Sequence, residues 1–162
     1  MERTMPTVVQ QRNLPEPIAS ASGMDRWDYV DLFTIAAASA RRRSAEQWAR
    51  AGVDVAAGDG GQFVWRVLLG LRLAPRTSAD HIAGWKIAGR GDHWIRLEAT
   101  SWFLTAHLVV WVGDGEVSIA TFIRYERPPA SLVWPPLSLG HRQAMPGLLV
   151  RATRHLARKP AR

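Results

Sequence analysis

Apolar and polar residues alternate almost without interruption from Gly84 to Glu126, which reads GWKIAGRGDHWIRLEATSWFLTAHLVVWVGDGEVSIATFIRYE. Alternation with period two, broken at three short turns, predicts four antiparallel strands in a meander. Asp114-Gly115 is the dipeptide favoured in a two-residue hairpin turn. Pairing Gly113 with Glu116 then sets Val112 against Val117, Val110 against Ile119, Leu108 against Thr121, Ala106 against Ile123 and Leu104 against Tyr125. A one-residue slip would turn every one of these side chains to the other face, so this nearly all-apolar set is the core side. The opposite face carries Trp111, Val109, His107, Phe122 and Arg124. A turn at Thr100-Ser101 would pair Leu97 with Leu104 and Ile95 with Ala106, bringing His93 near Leu108. A three-residue turn at Gly89-Arg90-Gly91 with a bulge sends Trp85 and Ile87 inward and Lys86 outward; a two-residue turn would bury Lys86.

The flanking segments supply cover for one face. Trp27 to Ala38 begins with Tyr29, Asp31 and Phe33 on one side and Val30, Leu32 and Thr34 on the other, a first strand. Ser44 with Gln47 three residues on is a capping box, opening a helix expected to end near Gly52. Gly58 to Gly61 reads as a breaker, and Gln62 to Leu73 as a second helix stopped by Pro75. Leu73 to Ala83 reads as a connector. Pro135-Pro136 is expected to break the chain before a last helix from about Leu137 to Ala157. Met145, Leu148, Leu149, Ala152 and Leu156 repeat there at helical spacing, with Pro146 inside it. Residues 1–24 read as a flexible arm, with a peptide packed on the domain as the alternative, 25–158 as a single domain and 159–162 as a frayed tail. Five strands are counted, and Val53 to Ala56 or the connector are the places left for a sixth.

Composition narrows the class. Hydrophobic residues at 47% and charged residues at 22% suit one globular core in a chain of 162 residues. A net charge of +7 raises a polyanion partner, but the arginines are scattered apart from Arg41-Arg42-Arg43 and the C-terminal run. Nucleic acid is therefore not favoured, and a membrane surface ranks below a small-molecule partner. The chain has no cysteine, which excludes disulfides and thiolate chemistry. The five histidines form neither HxH nor HxxxH, so no metal and no cofactor is expected. No apolar run reaches the ~18 residues of a membrane span, and the N-terminus lacks an apolar signal region, so a cytoplasmic location is expected. No GxSxG is present, and the inner face carries no paired carboxylates.

The element order, a strand, two helices, the rest of the sheet and a long C-terminal helix, is an α+β order. It resembles the helix-grip superfamily of START-like, polyketide-cyclase-like and birch-pollen-allergen-like domains. The run Thr121-Phe122-Ile123-Arg124-Tyr125, then Trp134-Pro135-Pro136, His141-Arg142, Pro146 and Leu148-Leu149 is similar to an uncharacterised actinobacterial family within that superfamily. The resemblance implies a long helix lying across a curved antiparallel sheet of six or seven strands, with an apolar or amphipathic ligand between them.

On that expectation the ligand-binding candidates are Trp85, His93, Leu104, Leu108, Val110, Ile119, Thr121, Ile123, Tyr125, Met145 and Leu149. Thr121, Tyr125 and His93 are the polar members of the inner face. Catalytic candidates are Tyr125, with His141 as acid or base and Arg142 as an anion clamp. A cyclase-, dehydratase- or hydrolase-like enzyme is the alternative to a binding protein. A third reading comes from the outer face: Trp94, Trp111 and Phe122 would be unusually apolar for a free surface, so they suggest a homodimer.

Overall fold

A computed structural model describes residues 6–159. Seven strands form one open antiparallel sheet: β1 (Val8–Gln10), β2 (Tyr29–Ala36), β3 (His81–Ile82), β4 (Trp85–Arg90), β5 (Trp94–Thr100), β6 (Leu104–Val112) and β7 (Glu116–Tyr125). Their order is β1-β2-β7-β6-β5-β4-β3. The helices are α1 (Glu16–Ala21), α2 (Ala45–Ala56) and α3 (Ala130–Arg158). The fold is thus α+β, with a long C-terminal helix and two shorter ones against one sheet.

The central hairpin has the register that Asp114-Gly115 dictates, from Val112 opposite Val117 to Leu104 opposite Tyr125. The β5–β6 register differs from expectation by four residues. Leu97 faces Leu108, Ile95 faces Val110 and Ala99 faces Ala106. The turn lies later than Thr100-Ser101 because Ser101 organises it: its Oγ accepts from the backbone N–H groups of Phe103 (3.3 Å) and Leu104 (3.2 Å). The slip is an even number, so every side chain keeps its face. The β4–β5 turn also lies later, at Gly91 to Trp94, where Gly91 N–H donates to the Trp94 carbonyl at 2.9 Å. The bulge falls between Ile87 and Gly89, leaving Trp85 and Ile87 buried and Lys86 exposed as expected.

The helical cover departs further from the sequence reading. Ser44 caps α2 with the reciprocal Gln47 bonds, at 3.1 and 2.9 Å. The helix does not stop near Gly52. Gly52 packs inward, and the path continues through two widened turns, Ala57–Gly61 and Val64–Leu68. The glycine run permits this instead of breaking it: Gly60 has φ +89°, and a Cβ on Gly61 would overlap the Ala56 carbonyl. The second helical stretch ends at Leu69-Gly70, short of Leu73, and the connector contributes β3. Val53 to Ala56 is helix, not strand.

Helix α3 starts at Ala130, seven residues before the expected Leu137, and runs through Pro135, Pro136 and Pro146. A proline inside a helix costs roughly 3 kcal/mol in the lost bond and clash. Here Pro135 and Pro136 face solvent, while Trp134 and Ser138 beside them are buried and anchor the turn. Ser138 Oγ donates to the Pro135 carbonyl at 2.7 Å.

The N-terminal segment is the largest correction. In place of a loose arm over residues 1–24, Val8–Gln10 pairs with β2 and α1 packs on the outer sheet face. Residues 1–5, and the expected tail beyond Lys159, lie outside the described residues. Ile18, Ala21 and Met24 cover Leu32, Val109, Ala120 and Phe122 in a second, smaller core. Trp27 stacks edge-on against Phe122 at 5.1 Å. Arg96 Nη1 donates to the Ala21 carbonyl at 2.9 Å, and His107 Nδ1 donates to the Ser22 carbonyl at 2.6 Å. Cations and donors at a helix C-terminus meet its unpaired carbonyls. The aromatic face that suggested a dimer is therefore covered by the chain's own N-terminal segment.

Candidate functional site

The main core lies between the inner sheet face, the helical stretch 45–68 and α3. It is not filled. A cavity of about 300 Å³ opens among Gly52 and Val53 of α2, the widened turns, the middle of β6 and β7, and α3 from Trp134 to Arg151. The reason is local geometry. The widened turns place small residues, Gly60 and Gly61, where a regular helix would present side chains, and Ala106 and Gly140 leave the sheet floor and α3 thin opposite them.

Of the expected ligand-binding residues, Trp85, Leu108, Ile119, Thr121, Ile123 and Met145 line this cavity. Five do not. Val110 and Leu149 close a side void of only about 10 Å³, where α2 and α3 pack tightly on the sheet. Leu104 is fully buried at the sheet end, and its pair Tyr125 is half-buried, with its backbone N–H bonded to Asp28 Oδ2 at 2.6 Å. His93 precedes β5 and is exposed, because the β4–β5 turn lies later than expected. The inner face is thus cavity wall only along the strand middles.

Of the catalytic candidates, His141 alone lines the cavity. Arg142 turns aside, its Nε 3.4 Å from the Ser138 carbonyl. The partner of His141 is a residue that the sequence reading put on one side of the first strand, without assigning that side to the core, and gave no role. Asp31, on β2, is 4% exposed, and its Oδ2 lies 3.0 Å from His141 Nε2, in electrostatic contact but off the line of a hydrogen bond. The same oxygen accepts from the Tyr29 hydroxyl at 2.5 Å. Burial, reinforced by the bond to Asp31, pushes the Tyr29 phenol well above its ordinary value, so it stays a proton donor. Trp134 packs against both ends of this chain, 5.2 Å from Tyr29 and 5.6 Å from His141. A carboxyl flanked at period two by Tyr29 and Phe33 was the available signal.

Five buried side-chain polar atoms have no protein hydrogen-bond partner among the described residues: Asp31 Oδ1, Trp85 Nε1, Thr121 Oγ1, Trp134 Nε1 and His141 Nε2. Four belong to residues of the cavity wall, and the fifth belongs to Asp31, which touches His141. Leaving one such group unpaired costs roughly 1–3 kcal/mol. Their collection in one place is the mark of a binding site more than of a core.

Among the described residues no three His, Asp or Glu side chains gather as metal ligands, and no helix is long and apolar enough to cross a membrane. The fold and this pocket define an α+β protein with a partly polar internal cavity. Comparison of the chain with protein-family models, curated proteins and solved structures finds no match.

Proposed function

We propose that this is a helix-grip protein that binds a small, largely apolar molecule between α3 and the inner sheet face. The strand and helix order and the lid-like α3 support the helix-grip reading. The ligand reading rests on one observation, that the unpaired buried polar atoms are gathered around one largely apolar cavity. Such pockets need an apolar wall and only a few placed polar groups. Native mass spectrometry of protein purified without denaturation tests it. A co-purified molecule, released on denaturation, supports the reading. A bare chain whose tryptophan emission and melting temperature respond to no apolar compound sinks it.

The contact between His141 and Asp31 favours a second reading, acid–base chemistry in the same cavity. A histidine in electrostatic contact with a carboxyl group, itself held by Tyr29, can carry a proton to or from a bound molecule. Incubating the co-purified molecule with excess protein tests this. Conversion by the wild type and none by His141→Gln would support it; an unchanged molecule would remove it.

A further inference from the structure

The cavity wall is specific about hydrogen bonding in a way its shape is not. Two of the unpaired atoms are indole nitrogens, Trp85 Nε1 and Trp134 Nε1. An indole can only donate. A third, Thr121 Oγ1, can donate by turning its hydrogen. Trp134 and Thr121 belong to the corner where Asp31 and His141 meet: Thr121 is the cross-strand partner of Asp31, and Trp134 packs on His141. Trp85 stands apart, edge-on to Trp65 at 5.5 Å. Each is nine-tenths buried or more. These groups ask for oxygen acceptors on the ligand, near the Asp31 corner and near Trp85.

The charge environment narrows the class further. An acid would bring a second carboxyl group near the buried Asp31, and the arginine of the wall, Arg151, is exposed with its Nε 3.4 Å from the Gly147 carbonyl. An ammonium could pair with Asp31 Oδ1 but, having no acceptor, would leave both indole N–H groups unpaired. Resting on the ligand-binding reading above, we infer that the cavity selects a compact, neutral, apolar molecule bearing acceptor oxygen, such as a ketone, ester, lactone or quinone. A site built to pair a polar group rejects the analogue lacking it more strongly than an apolar pocket rejects a change of size.

A matched series on one two-ring skeleton tests this: 2-tetralone, tetralin, 2-aminotetralin and 1,2,3,4-tetrahydro-2-naphthoic acid. Affinities come from calorimetry on the full chain. The ketone should bind at least about tenfold tighter than each of the others, the effect of one well-placed hydrogen bond. In a ¹⁵N-labelled sample the indole N–H signals of Trp85 or Trp134, assigned through Trp85→Phe and Trp134→Phe, should move downfield with the ketone and not with tetralin. Thr121→Val and Trp134→Phe should shrink the ketone-to-tetralin ratio. If either variant fails to fold, the wild-type indole shifts and affinity order still decide. Equal binding of ketone and tetralin, or tighter binding of the amine or acid, overturns this inference and leaves the cavity reading standing. If no member binds, the cavity reading itself fails and this inference with it.

Discussion

A buried alanine enlarged to leucine should stabilise this protein at one position and destabilise it at the position directly across the sheet. Ala106 on β6 and Ala99 on β5 are cross-strand partners, both buried on the inner face. Ala106 borders the 300 Å³ cavity and Ala99 does not. Ala106→Leu adds three carbons that can enter the open space. At about 0.8 kcal/mol per buried methylene this gains roughly 2 kcal/mol. For a domain of this size that raises the melting temperature by roughly 4–8 °C. Ala99→Leu inserts the same three carbons where the core is closed, and overpacking costs roughly 1–3 kcal/mol. Thermal denaturation followed by circular dichroism reads both, and Ala106→Leu should also abolish ligand binding. Destabilisation by Ala106→Leu comparable to that by Ala99→Leu would refute the reasoning, because it would show that the space above Ala106 is occupied by packed side chains.

Ile18→Asp should release α1 from the outer face at a cost of roughly 2–4 kcal/mol, from lost burial and a charge set on Phe122 and Val109. Amide exchange should accelerate across residues 8–24 and not in β6, and light scattering should show self-association through the uncovered aromatics; unchanged protection of 8–24 counts against the latch. His107 titrates below its ordinary value, chiefly because it is buried, with Arg96 and Arg124 acting the same way and the Ser22 carbonyl and Glu98 opposing. The unfolded chain therefore takes up a proton below about pH 6.5 that the folded chain does not, so stability is present above that pH and lost as pH falls through it. Urea melts at pH 7 and pH 5 should show this loss, and His107→Gln should reduce it; an equal loss in the variant would exclude His107 as its source. Gly84→Ala should cost roughly 1–3 kcal/mol, since Gly84 has φ +93° and a Cβ would sit 2.6 Å from the Ala74 carbonyl. A melting temperature within a degree of wild type would show that the β3–β4 turn relaxes freely.

The meander was legible because alternation and one turn dipeptide carry strong local constraints. Register in the β6–β7 hairpin follows from Asp114-Gly115, and the faces follow from the pleat even where the β5–β6 pairing shifts by four residues. The cap at Ser44 is equally local. Other features answer to distant partners. Pro135-Pro136 looks like a break from within the helix, but Trp134 buried against Tyr29 holds the turn. Gly58 to Gly61 looks like a stop, but the helical path runs on through a widened turn, and Gly60 and Gly61 border the cavity. Residues 8–24 look aimless because the apolar positions that match them, Leu32, Val109, Ala120 and Phe122, lie on strands far along the chain.

The candidate site divides in the same way. The inner-face residues of β6 and β7 and the helical stripe of α3 were set by period alone, while period left open which side of β2, and so Asp31, would face the core. That His141 meets Asp31, that Tyr29 holds it, and that the cavity spans the strand middles and stops short of Tyr125 depend on how α3 crosses the sheet. A period states which way a side chain points. Which groups then meet, and whether space is left between them, is decided only when elements far apart in sequence pack together, since cavities and unpaired polar atoms are properties of that packing.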